Sequence, residues 1–247
     1  MLKYKNHYET SEIFDYMICK NHADKMDGMQ SISTSVLHNS YCQLRRSLEL
    51  KCQDGAEMIC KKCFAANLFD VRKNMRFKYA FNYVVLTHKL FTVEEMPLLN
   101  CLVFRLESFG DLANIIQAEN YLRLCKKNPD VHFALWTKNP WILYNAINAY
   151  ENGKKPKNLK VVYSSPFINK PQTSALNVYK LKNGKPMIDK VFTVYTCDYA
   201  IENNVKINCG NKKCLGCKLC YMNSSVKEIN EIVKNEQSRY YRLIEKQ

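Results

Sequence analysis

The chain has 247 residues, 47% of them apolar, and only 7 glycines. That composition fits one large packed domain, or one domain with an appendage, and excludes a disordered or low-complexity chain. Its 37 Lys and Arg against 23 Asp and Glu give a net charge of +14, which points to a polyanionic partner, nucleic acid or nucleotide first.

The opening "MLKYKNHYETSEIF" has mixed helical signals and lacks the apolar run of a secretion signal. "MQSISTSV" is β-branched and alternating, and predicts a strand near 31–35. A polar stretch with Cys42, Cys52, Cys60 and Cys63 follows. "CFAANLFDVRKNMRFKYAF" then has the apolar spacing of a basic amphipathic helix. "YVVLTHKL" reads as a further strand, and "CLVFRLESFGD" as a better one over 102–107, closed by a Gly-Asp turn. "LANIIQAENYLRLCKKNP" is a helix, "VHFALWTKNP" a strand, and "WILYNAINAYENGKKP" a helix with Gly153 and Pro156 in stop positions. "LKVVYSSPF" and "KVFTVYTC" are strands, with the lysine-, asparagine- and proline-rich 167–190 read as an insertion or hairpin between them. "SSVKEINEIVKNEQSRYYRLIEKQ" predicts a serine-capped charged helix.

Strand and helix alternation predicts an α/β fold with a parallel sheet. A partial (β/α) barrel fits best, over 1–198, with a Cys-rich metal-binding segment and C-terminal helix over 199–247. A doubly wound sheet is the alternative. No stretch has the uncharged apolar length that spans a bilayer, so no membrane partner and a cytoplasmic location are expected. Oligomeric state is left open.

The cytoplasmic expectation decides how the 12 cysteines read. In a reducing compartment, clustered cysteines are metal ligands or redox groups more often than disulfides. Cys19, Cys101, Cys125 and Cys197 are scattered among apolar residues and read as small buried hydrophobes. "NCGNKKCLGCKLCY" places Cys209, Cys214, Cys217 and Cys220 in one short run with no histidine nearby. Such spacing aims several sulfurs at one centre, an iron–sulfur cluster or, as the alternative, zinc. In the first group, Cys60 and Cys63 form a chelating pair that needs a third ligand, Cys42 or Cys52. Three sulfurs on a 4Fe–4S cluster leave one iron open. A split zinc ribbon of Cys60 and Cys63 with Cys217 and Cys220 remains the competing arrangement.

The strand ends supply the other candidates, because ligands bind at the C-terminal edge of parallel strands. Glu107 and Asp111 bracket "SFG", Lys138 and Asn139 end the next strand, and Ser164 and Ser165 the one after. Alternation puts Arg105 on the same side as Glu107. These groups are read either as a polar ligand site or as ion pairs of Glu107 with Arg105 or Lys138.

The order "SISTS…NSYC…ICKKCFA…FRLESFGDL…NPDVHFALWTKNP…SSP…CGNKKCLGCKLCY" resembles the phage-associated gene product 88 family over about 29–221. That resemblance implies a phage or mobile-element origin and favours Cys42 over Cys52 as third ligand. More distantly, a strand, a three-cysteine loop and a βα series resemble the radical S-adenosylmethionine enzymes. That likeness implies one or two 4Fe–4S clusters, S-adenosylmethionine as a second cofactor and a cofactor contact from Glu107; the strand ends add Asp111, Lys138 and Asn139 beside Glu107 as catalytic candidates, and Ser164 and Ser165 as cofactor contacts. The opposing reading is a non-enzymatic nucleic-acid-binding module stabilised by zinc or an iron–sulfur cluster.

Overall fold

The computed structural model describes residues 10–21, 24–48 and 56–245. Helix α1 (Thr10–Met17) leads to β1 (Cys19–Lys20) and β2 (Gln30–Ile32). Next come α2 (Ser40–Ser47), a 3-10 turn at Ile59–Lys62, α3 (Phe64–Val71) and α4 (Lys73–His88). The βα series continues with β3 (Val103–Leu106), α5 (Ile115–Lys127), β4 (His132–Thr137), α6 (Pro140–Tyr150) and β5 (Leu159–Ser164). It ends with α7 (Ala175–Val178), β6 (Lys190–Tyr195), α8 (Cys197–Glu202), α9 (Cys214–Cys217), β7 (Glu228–Ile232) and α10 (Gln237–Ile244).

The seven strands form one sheet in chain order, β1 to β7. β1 is antiparallel to β2, every other pairing is parallel, and the sheet is not closed. The parallel α/β expectation therefore holds at that level.

Period-2 alternation divides the sheet into two different faces. Phe104, Leu106, Phe133, Leu135, Leu159 and Val161 share the main core with Leu86 of α4, Tyr121 and Leu122 of α5 and Leu143 and Ile147 of α6. Val103, Ala134, Trp136, Val162 and Phe192 occupy the opposite face, covered by Tyr221 and by Cys209, Cys214 and Cys220. Helices cover one side and the Cys-rich segment lies on the other.

Two expected elements differ. The strand read in "YVVLTHKL" is the C-terminal half of α4. Tyr79, Asn82 and Leu86 bury one helical face there, and Asn82 Nδ2 donates to the carbonyls of Met17 (3.1 Å) and Ser33 (2.8 Å). Tertiary burial outweighs the local preference of Val84 and Val85 for strand. The C-terminal helix begins later than its serine cap suggested, because 228–232 adds strand β7 to the sheet. Ile229 and Ile232 are three apart and bury in different clusters on opposite faces, which a strand permits and a helix would not. The long helix from 64 is also broken, at Arg72 (φ −115°, ψ 80°), into α3 and α4. No helix among the described residues is long and apolar enough to cross a membrane.

Candidate metal centres and the strand-end site

The loop after β2 sets the first site. Asn39 caps α2, its Oδ1 accepting from the amides of Tyr41 (3.0 Å) and Cys42 (3.4 Å), and its Nδ2 donates to the Asp111 carbonyl (2.9 Å). The cap thus fixes Cys42 against the turn that follows β3. Cys60 sits in the 3-10 turn, and Cys63 immediately precedes α3. Cys42 and Cys63 pack against Val36, Ala65, Ala66, Phe69 and Tyr79.

Lys138 joins these thiols to the sheet. Burial pulls its ammonium down, but Cys60, Asp111, Cys42 and Cys63 together hold it above its ordinary value. Burial raises the Cys42 and Cys60 thiols, and Lys138 opposes both shifts. Cys42, Cys60 and Cys63 thus all lie within electrostatic reach of Lys138, and Cys42 and Cys63 pack in a different cluster from Cys220. Cys52 lies outside the described residues.

The acidic residues are more enclosed than a substrate-facing pair. Asp111 Oδ1 accepts from the Leu112 amide (2.8 Å) and from Thr137 Oγ1, and Oδ2 accepts from the Lys138 amide (3.0 Å). Glu107 accepts from the Thr34 amide (3.1 Å), Thr34 Oγ1 (3.0 Å), Gln117 Nε2 (2.6 Å) and the Tyr121 hydroxyl. It has φ +55°, and that left-handed turn ends the alternation of β3. Arg105 accordingly lies over Trp136 on the other face and does not join Glu107, as simple alternation had suggested. Gly110 is required by close approach: a Cβ there would lie 2.0 Å from Glu107 Oε2 and 2.6 Å from the Thr34 carbonyl.

Burial lifts the Glu107 carboxyl from 4.5 to about 7, against the hydrogen bonds from Tyr121 and Thr34 that lower it. The folded protein holds this proton more tightly than the unfolded chain. The resulting stabilisation is complete below pH 4.5 and is lost as pH rises through about 7. Glu107→Gln is expected to flatten the fall in urea-unfolding stability across that window. An unchanged slope would assign the titration to another group.

Asn139 donates from its amide to Thr137 Oγ1 (2.9 Å) and from Nδ2 to the Leu112 carbonyl (3.3 Å). Ser165 Oγ donates to the Lys170 carbonyl (2.6 Å), while Ser164 is buried at the end of β5. Beside them, at the C-terminal ends of β5 to β7, a cavity of about 620 Å³ is lined by Glu57, Lys62, Asn169, Lys170, Thr196 and Glu236 among others. Glu57 and Lys62 come from the Cys60 turn, so the cavity adjoins the cysteine loop.

The second cysteine group lines a cavity of about 20 Å³ on the opposite face. Lys25 Nζ is 3.5 Å from Cys209 Sγ and also pairs with Glu231. Burial pushes Cys209 up to about 11 and Cys220 up to about 12, with Lys25 opposing the first shift and Arg105 the second. Among the described residues no group of three or more His, Cys, Asp or Glu side chains forms a metal-holding cluster as placed. The fit to a metal rests instead on the donor chemistry and its cationic surroundings. Lys25 and Asn39 are the residues that sequence reasoning missed. Asn39 was legible as a cap before "SYC"; Lys25 carried no signal, being 184 residues from Cys209.

Comparison with curated proteins and with solved structures gives no match, so the radical-enzyme likeness gains no relative. The first likeness does: residues 17–230 match the gene product 88 family, and the chain belongs to that family.

Proposed function

We propose that the protein is an iron–sulfur protein in which Cys42, Cys60 and Cys63 hold a 4Fe–4S cluster with one open iron at the C-terminal edge of the sheet. The observation that carries this reading is that Cys42 and Cys63, well apart in the chain, pack into one cluster, with Lys138 within electrostatic reach of both and of Cys60. Such a cluster supplies one-electron chemistry and a site for an exogenous ligand such as S-adenosylmethionine. Lys138 offsets thiolate charge, and Asp111 fixes the backbone of Lys138. The adjoining cavity offers room for a nucleotide-sized substrate. Cys209, Cys214, Cys217 and Cys220 are enough to close a second centre, structural or electron-relaying.

Anaerobic purification followed by iron, sulfide and zinc analysis tests the reading. Iron with labile sulfide is expected, together with a change in the cluster's spectrum on adding S-adenosylmethionine. Zinc without sulfide would sink it; iron without a spectral response would remove only that second cofactor.

A basic edge favours a second reading, a nucleic-acid-binding module. Residues 153–190 hold nine lysines and one acidic residue, Asp189. Lys155 pairs with Asp189 and donates to the Met187 carbonyl (2.8 Å), and Lys160 lies 3.9 Å from Asp189. Burial lowers Lys155, and Lys160 and Lys227 lower it further despite Asp189. Lys154, Lys157, Lys182, Lys185 and Lys227 are exposed, and the Lys182 turn abuts Gly153. These lysines cluster at the N-terminal ends of β5 to β7, away from the cysteine loop. Reversing the charge of Lys154, Lys157, Lys182 and Lys185 is expected to lower nucleic-acid affinity about tenfold or more and to flatten its salt dependence. Equal loss on reversing Lys73 and Arg76 of α4 would show a diffuse charge effect.

A further inference from the structure

Arg105 stands near the middle of the sheet, in β3, on the face covered by the Cys-rich segment. It is 8% exposed. Its guanidinium carbon lies 3.9 Å from the centroid of the Trp136 ring. Among the described residues Nη1 reaches the Met26 thioether, at 3.9 Å, a weak acceptor, and the guanidinium is also in hydrogen-bonding reach of the neutral Tyr221 hydroxyl. Among the described residues the buried Nε finds no hydrogen-bond partner, and neither does Trp136 Nε1 on the neighbouring strand. Among the described residues no carboxylate pairs with Arg105.

That environment lacks an anion. Arginine stays charged in proteins, and a buried ion without a partner costs several kcal/mol. Cation–π contact returns only part of that cost, which leaves the charge uncompensated. Trp136, on whose ring Arg105 lies, packs in one cluster with Cys209, Cys214, Cys220 and Tyr221, so these are the groups beside the guanidinium. As free thiols and phenol at neutral pH they supply no charge. As metal ligands the thiols become thiolates. Four thiolates around a divalent zinc ion or a doubly charged 4Fe–4S core leave a net charge of about −2. Lys25, already paired with Glu231, meets this charge at Cys209; Arg105, with no carboxylate partner among the described residues, is available to meet it as well.

We propose that Arg105 is the counter-cation and N–H donor of an anionic metal–thiolate centre formed by Cys209, Cys214, Cys217 and Cys220. The assignment rests on those four cysteines binding metal. It makes Arg105 a positioning residue whose buried charge is stabilising only when the centre is loaded. The same guanidinium therefore has opposite effects on stability in the loaded and the empty protein.

The test pairs R105M and R105K, each in the natural chain and in C209A/C214A/C217A/C220A. Metal and sulfide per chain are read after dialysis against a competing chelator, and unfolding midpoints in urea. R105M is expected to weaken metal retention about tenfold or more, in the range for residues behind metal ligands, with R105K retaining part of it. In the four-alanine background R105M is expected to raise the unfolding midpoint, which also shows that the variant folds. Unchanged retention in R105M, where the four-alanine chain loses metal, overturns the role of Arg105 alone. A lower midpoint for R105M in the four-alanine background also overturns it. Metal content unaffected by the four alanines removes the underlying reading and the proposal with it.

Discussion

Replacing Cys60 and Cys63 together by serine is expected to remove about half of the bound iron and labile sulfide and to leave the remainder in place. The expectation follows from separation. Cys63 packs with Cys42 beside Phe69 and Tyr79, whereas Cys209, Cys214 and Cys220 pack beside Met29 and Trp136 on the sheet face away from the main core. Both substituted thiols are only half-buried, so the serines leave the fold intact. C217S/C220S should remove the complementary half. Loss of all metal in either pair would mean one shared centre, as in the split ribbon. No loss on replacing Cys60 and Cys63 would leave the loop without a metal.

Asp111→Ala is expected to lower the unfolding free energy by about 3–5 kcal/mol and to empty the Cys42 site while sparing the other. The substitution strands three donors, the Leu112 and Lys138 amides and Thr137 Oγ1. Each buried donor left unsatisfied costs about 1–3 kcal/mol. Lys138 would also lose its neighbouring carboxylate and stand beside the cysteines without a fixed backbone. Urea denaturation with metal analysis on the same samples measures both effects. Lys138→Met serves as the comparison: it removes the ammonium and keeps the amide bonded to Asp111. A small stability loss with complete metal loss in K138M would assign the loading role to charge; retention of metal there would assign it to the Asp111 scaffold.

Much of the architecture was legible because it rests on local patterns. β3, β4, β5 and β6 lie within their apolar runs and α5 within its own, capped by Asn114, while α6 starts one residue ahead of its expected run, at Pro140. β7 was not legible. "EINEI" carries as many charges as apolar residues, and only pairing with β6 makes it a strand. The second half of α4 was hidden by two valines whose preference is overridden by packing against the main core. At the site, the division of the cysteines into two groups could be read from spacing, and packing keeps it, with Cys42 and Cys63 in one cluster and Cys209, Cys214 and Cys220 in another. The roles of Glu107 and Arg105 could not. One left-handed residue at Glu107 separates two side chains that alternation places together, turning one into the hub of Thr34, Gln117 and Tyr121 and the other toward the Cys-rich segment.

The ion pairs of residues 24–27 also set a schedule. Asp24 pairs with Lys234 (2.7 Å), Lys25 with Glu231, and Asp27 with Lys213 (2.9 Å). Lys25 and its thiol neighbour are 184 residues apart in the chain. At about 5–20 residues per second, a ribosome exposes the first roughly ten to forty seconds before the second. During that interval the strands can assemble side by side in the order of their synthesis, each on the edge left by the last. The cysteine run then emerges onto a prepared cationic floor, and the proposed metal centre at this end would be completed late in the life of the nascent chain.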